Sequence, residues 1–245
     1  MSMPLTMSRR LAILTTFEGD LPLLERHPDD GAKVAAGLRP WRPGWHFERF
    51  AVSEGEWPRD LGVFDGLVVT GSPASVNDDR AWIDELGRLV REAFDAGVPM
   101  AGLCFGHQMI AAALGGRVAK SVDGLRLGTA TTRIAHPMPW MSPAAPALTL
   151  YAAHDEQVVE LPPGAQVIGG DAVCPIGAYA IGDRAFALQY HPEFSSAFMH
   201  DVFDAWGPTL PAAQAEIGRA QIAQPVDSAL AMRWIAQFFD QPRGR

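Results

Sequence analysis

Residues 98–116 read VPMAGLCFGHQMIAAALGG, and the fold follows from how this stretch divides. Residues 98–103 are a short apolar run that fits a strand covered on both faces, while residues 108–114, rich in Ala, Leu and Met, predict the start of a helix. Between them stands Gly102-Leu103-Cys104-Phe105-Gly106. In a sharp strand-turn-helix elbow the central residue takes a strained backbone conformation, and small residues two places to either side let strand and helix approach closely. An isolated cysteine is most often a small core residue. A packing role gives no reason for glycine at both flanking positions, whereas a nucleophile elbow requires small residues there. The helix that follows aims its first N–H groups and its positive dipole end at Cys104, favouring thiolate over thiol.

Outward from the elbow the chain alternates strands and helices. Upstream, residues 11–16 (LAILTT) read as a buried strand, residues 29–38 hold an amphipathic helix, and residues 45–52 and 64–70 are two further strands. Trp82, Ile83, Leu86, Leu89, Val90, Ala93 and Phe94 recur at threes and fours in a helix that ends at Gly97 and delivers the chain into the elbow strand. Downstream the character changes. Residues 127–134, 147–152, 166–170, 178–181 and 185–190 are strands without intervening helices, with a Pro-rich turn at 136–143 and a hairpin turn at Gly182-Asp183. From Ser195 the composition is helical again, ending in the stripe Leu230, Ala231, Trp234, Ile235, Phe238 and Phe239. This order predicts an α/β fold with a mostly parallel central sheet flanked by helices and an antiparallel insertion between Cys104 and His191. No linker, repeat or low-complexity run interrupts it, so residues 1–245 are expected to form one domain.

A formal charge of -8 argues against a nucleic-acid or anionic-membrane surface, which would need a basic patch. No apolar run approaches the roughly 20 residues of a membrane helix, and MSMPLTMSRR lacks a signal-peptide core, so a cytoplasmic location is expected. Cys104 and Cys174 could pair on count alone, but disulfides are uncommon in that compartment and a bond would seal the proposed nucleophile; Cys174 reads as a buried thiol.

A thiolate nucleophile needs a base that can later protonate a leaving amine, and imidazole suits both tasks near neutral pH. Among seven histidines His191 is favoured, because it follows an apolar strand and so sits at a strand end, where doubly wound sheets place their active sites. Glu193 can accept the other ring N–H if Pro192 sets the turn. His107, beside the nucleophile, reads as a structural histidine.

GLCFGHQ resembles the nucleophile motif of the class I (triad) glutamine amidotransferase family, and Gln189-Tyr190-His191-Pro192-Glu193 resembles its second signature, in the family's order. The resemblance implies a flavodoxin-like sandwich and a triad of Cys104, His191 and Glu193. It also implies an oxyanion hole from the backbone N–H groups of Phe105 and of Gly71, in the loop Thr70-Gly71-Ser72-Pro73, and a substrate-binding role for Gln108. No cofactor and no metal ion are expected. Residues 153–158 (AHDEQV) match only partly a stretch that borders the family's active site. At Gly124-Leu125-Arg126-Leu127-Gly128, Leu125 and Arg126 stand where related sequences often carry an aromatic residue and a glutamate, which leaves recognition of the substrate's charged end open.

The activity implied is attack by Cys104 on a γ-glutamyl amide, a small molecule such as glutamine or a γ-glutamyl peptide, with hydrolysis of the resulting thioester. The Cys-Phe-Gly-His-Gln form resembles the γ-glutamyl peptidase branch somewhat better. A glutaminase subunit feeding ammonia to a separate synthetase is the alternative. A non-catalytic binding or regulatory protein on the same fold is the reading of another class, against which the intact Cys, His and Glu set stands.

Overall fold

Strand β1 (Arg10–Thr15) shows why the molecule is layered: Leu11 and Ile13 enter one apolar cluster and Ala12 and Leu14 the other, all fully buried. A strand with no solvent face requires cover on both sides, and each fully buried Leu or Ile contributes roughly 1.5–3 kcal/mol. The computed structural model describes residues 8–18 and 25–242; the first seven residues, on which the leader reading falls, and part of the segment between β1 and the first helix lie outside the described residues.

Helix α1 (Asp30–Leu38) is capped by Asp29, whose carboxylate accepts from the Ala32 N–H at 2.8 Å. Strands β2 (His46–Ala51) and β3 (Gly66–Val69) flank β1 in parallel register. Helix α2 (Ala81–Asp95) buries the predicted stripe except for the half-buried Trp82 and Phe94 and leads into β4 (Met100–Leu103), and α3 (Phe105–Ala113) begins immediately after Cys104, three residues earlier than the apolar composition suggests.

The predicted antiparallel series is present as β6 (Arg126–Ile134), β7 (Ala147–His154), β9 (Gln166–Gly170), β10 (Ala178–Ile181) and β11 (Ala185–Leu188). Two short strands escape the sequence reading, β5 (Arg117–Lys120) and β8 (Glu156–Glu160), which pair as a separate two-stranded sheet. Both are charged at their ends and too short to show a clear alternation. Helices α4 (Ser196–Trp206), α5 (Ala212–Ile222) and α6 (Ser228–Phe239) complete the chain.

The main sheet runs β2-β1-β3-β4-β11-β10-β9-β6-β7. From β2 to β11 the pairings are parallel, and from β11 to β7 they are antiparallel, so the insertion extends the same sheet. The α/β fold with a mostly parallel central sheet and added antiparallel strands is therefore the one expected. Its consequence for function lies at one edge. Strands β3, β4 and β11 are adjacent and parallel, so the loop at 70–73, Cys104 and the residues after Leu188 all emerge at the carboxyl ends of neighbouring strands.

Candidate active site

Cys104 has φ 51° and ψ −104°, the one positive φ among the described non-glycine residues. Such a conformation is costly and persists where the surroundings over-determine it. The surroundings here are tight. A Cβ on Gly102 would lie 2.5 Å from the Gly106 carbonyl oxygen, and one on Gly106 would lie 2.1 Å from that of Val69, so only glycine lets α3 seat against β4 and β3. The Gly106 N–H donates to the Thr70 carbonyl at 3.0 Å and the Cys104 N–H to that of Leu188 at 2.9 Å, which pins the elbow between its two neighbours.

His191 follows β11 and is fixed through its backbone, its N–H donating to the Tyr151 carbonyl of β7 at 2.9 Å. Its Nδ1 lies 2.7 Å from Glu193 Oε1, both side chains being buried, and Phe194 stacks on the ring at 3.9 Å with 14° between planes. Burial alone would lower the imidazole's pKa, but the facing Cys104 and Glu193 outweigh it and raise it to about 10. The thiol and the imidazole meet across Gly71: a Cβ there would stand 2.9 Å from His191 Cε1 and 3.6 Å from Cys104 Cβ.

The loop carrying Gly71 is held from behind. Thr16, at the end of β1, donates its hydroxyl to the Gly71 carbonyl at 2.8 Å. No hydrogen-bond acceptor among the described residues takes the N–H of Gly71 or of Phe105, so both expected oxyanion donors are unoccupied.

Two cavities open at Cys104. The larger, about 530 Å³, is lined by Gln108, Lys120, Leu125, Leu127, His154 and Glu156 among others, and carries charges of both signs. The smaller, about 60 Å³, lies on the side of Gly71 and His191. Gln108, predicted to bind substrate, lines the larger cavity, yet its amide is already committed, donating to the Glu156 carbonyl at 2.8 Å and to Gln189 Oε1 at 3.2 Å. The departure at 124–128 resolves along β6. Leu125 and Leu127 line the cavity, while Arg126 does not and pairs with Asp171 at 2.7 Å.

Sequence reasoning assigned no role to Gln189, whose Nε2 stands 3.7 Å from Cys104 Sγ, nor to Phe194 or Thr16. Gln189 lay inside the quoted signature and Phe194 only three residues beyond His191, so both signals were at hand; the Thr16 contact depends on strand order. His154 also reaches the cavity wall, its Nδ1 3.0 Å from the Glu156 carbonyl oxygen; burial lowers its pKa to about 4. His107 lines neither cavity, and burial, reinforced by His154, lowers it to about 3. Both cysteines are unpaired, and burial pushes Cys174 up to about 12. Among the described residues no group of three or more His, Cys, Asp or Glu is placed to hold a metal ion, and no helix is long and apolar enough to cross a membrane.

Residues 50–203 match the family described as Glutamine amidotransferase class-I. The chain is 30% identical over 171 residues to gamma-glutamyl peptidase 3 of Arabidopsis thaliana, covering 66% of this chain and 68% of that protein. It is 32% identical over 130 residues to the glutamine-hydrolyzing GMP synthase of Vibrio vulnificus, covering 53% of this chain and 24% of that protein. Its backbone superposes on a glutamine amidotransferase from Thermotoga maritima with a TM-score of 0.74 and 17% identity, covering 96% of this chain and all of that one.

Proposed function

The chain belongs to the class-I glutamine amidotransferase family, and from that premise we propose that it hydrolyses a γ-glutamyl amide through a glutamyl thioester on Cys104. The observation that carries this reading is the meeting, at one sheet edge, of a strained elbow cysteine with a buried imidazole that Glu193 braces at 2.7 Å. Residues 1–245 act in this reading as one amidotransferase-type domain.

The chemistry runs from a thiolate–imidazolium pair. Cys104 Sγ attacks the γ-carbonyl carbon, and the developing oxyanion is met by the N–H groups of Gly71 and Phe105. His191 passes its proton to the departing nitrogen, the C–N bond breaks, and an amine leaves the thioester behind. Water then adds to the thioester as His191 takes its proton, the C–S bond breaks, and glutamate departs with the ion pair restored. Glu193 holds the ring tautomer and supports the imidazolium throughout. The glutamyl chain lies in the larger cavity, where Lys120 and Glu156 offer the two signs that a zwitterionic end needs, and Gln108 braces that wall.

The similarity to the gamma-glutamyl peptidases supports hydrolysis of γ-glutamyl peptides or related amides as well as glutamine. A second reading is favoured by the match to one part of a GMP synthase: a glutaminase subunit that yields ammonia to a separate synthetase. Incubating the purified chain with glutamine and with a set of γ-glutamyl dipeptides, and measuring ammonia against released amino acid, separates the two. Release of amino acid, abolished by Cys104→Ala, is the expected result; glutamine hydrolysis that awaits a synthetase, with no dipeptide cleaved, replaces it by the second reading.

A further inference from the structure

The two cavities at Cys104 differ in chemistry, and the difference bears on which amine leaves. Both share Ser72, Pro73, Cys104, Ala153 and Trp206, so they meet at the sulfur. Only the smaller is lined by His191. The group that protonates the leaving nitrogen must face it, so the leaving amine lies on this side and the glutamyl chain on the other.

The walls of the smaller cavity are apolar and largely aromatic: Phe17, Phe194, Phe198, Val202 and Trp206. Three of these, Phe198, Val202 and Trp206, are spaced four apart on α4 and so form one stripe of that helix. Asp30, the one acid among the described residues of the wall, is already matched, since Lys33 Nζ reaches its Oδ1 at 2.8 Å with both side chains almost fully buried. Lys33 in turn sits 3.2 Å above the Phe198 ring. Among the described residues that line this cavity, then, no carboxylate lacks a cation beside it. A cationic amine entering here would shed water against hydrocarbon without a counter-charge, whereas an apolar substituent gains by burial.

We propose that the α4 stripe, with Phe17 and Phe194, is a leaving-group subsite that selects γ-glutamyl amides whose amine carries an uncharged apolar or aromatic substituent. This rests on the hydrolytic reading above. The released product is then an apolar amine, and the reaction that consumes the γ-glutamyl compound unmasks it.

The test compares kcat/KM of the purified chain for γ-glutamyl benzylamide, γ-glutamyl methylamide and the γ-glutamyl monoamide of a diamine. All three give the same thioester, so differences report on acylation and on the leaving amine. The benzylamide is expected to exceed the methylamide at least about tenfold, with the diamine amide the poorest. Trp206→Ala should lower the benzylamide-to-methylamide ratio by about tenfold and Trp206→Phe should retain most of it, with circular dichroism checking the fold. Val202→Thr, which swaps a methyl for a hydroxyl at similar volume, should lower the ratio several-fold and serves where Trp206→Ala does not fold. A ratio near one, or preference for the diamine amide, overturns the subsite while leaving hydrolysis intact. Absence of any glutamyl adduct on Cys104 by mass spectrometry, with none of the three cleaved, overturns the hydrolytic reading and the subsite with it.

Discussion

Two buried imidazoles of this chain, His191 and His107, are held in opposite states. At the elbow, Cys104 and His191 face one another with Glu193 behind, and the imidazole is raised to about 10. Elsewhere, Cys174 sits in a turn whose backbone is tied to Asp171, pushed by burial to about 12, and His107 packs at 4.8 Å from the Tyr179 ring and is lowered to about 3. All four side chains are nearly inaccessible. Burial therefore does not distinguish the proposed catalytic imidazole from the other. The difference is the partner: His191 faces Cys104 and the Glu193 carboxylate, which favour its charged form, whereas His107 faces another histidine, His154, and its neutral form wins.

The sharpest way to break this comparison is to exchange the thiols' fates. Cys104→Ala is expected to lower kcat by on the order of 10⁴-fold or more with the fold retained, because the Cβ that fits the elbow remains and only the nucleophile is lost. Turnover near normal in a steady-state assay would move the nucleophile elsewhere. His191→Asn should cost at least as much as Glu193→Gln, the latter on the order of 10³- to 10⁴-fold, since the base moves the proton and the carboxylate orients it. The opposite ranking would show the two roles to be reversed.

A smaller effect sharpens the geometry between thiol and imidazole. Gly71→Ala places a Cβ against His191 Cε1 and should lower kcat about 10- to 100-fold with little change in melting temperature. Unchanged kcat would mean that the loop yields without disturbing the ring.

The lowered His107 predicts a pH effect. His107 has a folded-state pKa below its unfolded value, so the stability it allows is fully present above about pH 6.5 and is lost as pH falls toward about 3. His107→Phe should therefore lose about 2 kcal/mol less than the parent between pH 7 and pH 5, read from urea midpoints. Equal losses would show that His107 titrates freely. Smallest of all, Cys174→Ala should change kcat less than about threefold and lower the melting temperature by about 2–4 °C, a cavity-sized cost in a chain of this length.

Much of this was legible along the chain. The strand, elbow and helix at 98–116, the α2 stripe and the C-terminal stripe follow from periods of 2 and 3.6 and from glycine positions, which are local properties. The alternation that turns Arg126 aside and leaves Leu125 and Leu127 at the cavity was also latent in the sequence, though its direction was not. Strands β5 and β8 were not legible, because their stability comes from pairing with each other rather than from a pattern within either.

By itself, the sequence determined which residue types stand at the elbow and at the end of the last strand, and hence which nucleophile and base the proposed reaction can draw on. Tertiary structure alone decided which groups meet. Gln189 reaches Cys104 across 85 residues, Thr16 reaches Gly71 across 55, and Trp206 arrives at the end of α4, just past residues 50–203. Those contacts are set by the order of β1, β3, β4 and β11 in the sheet, and strand order depends on how both faces are covered at once, which no window of sequence contains.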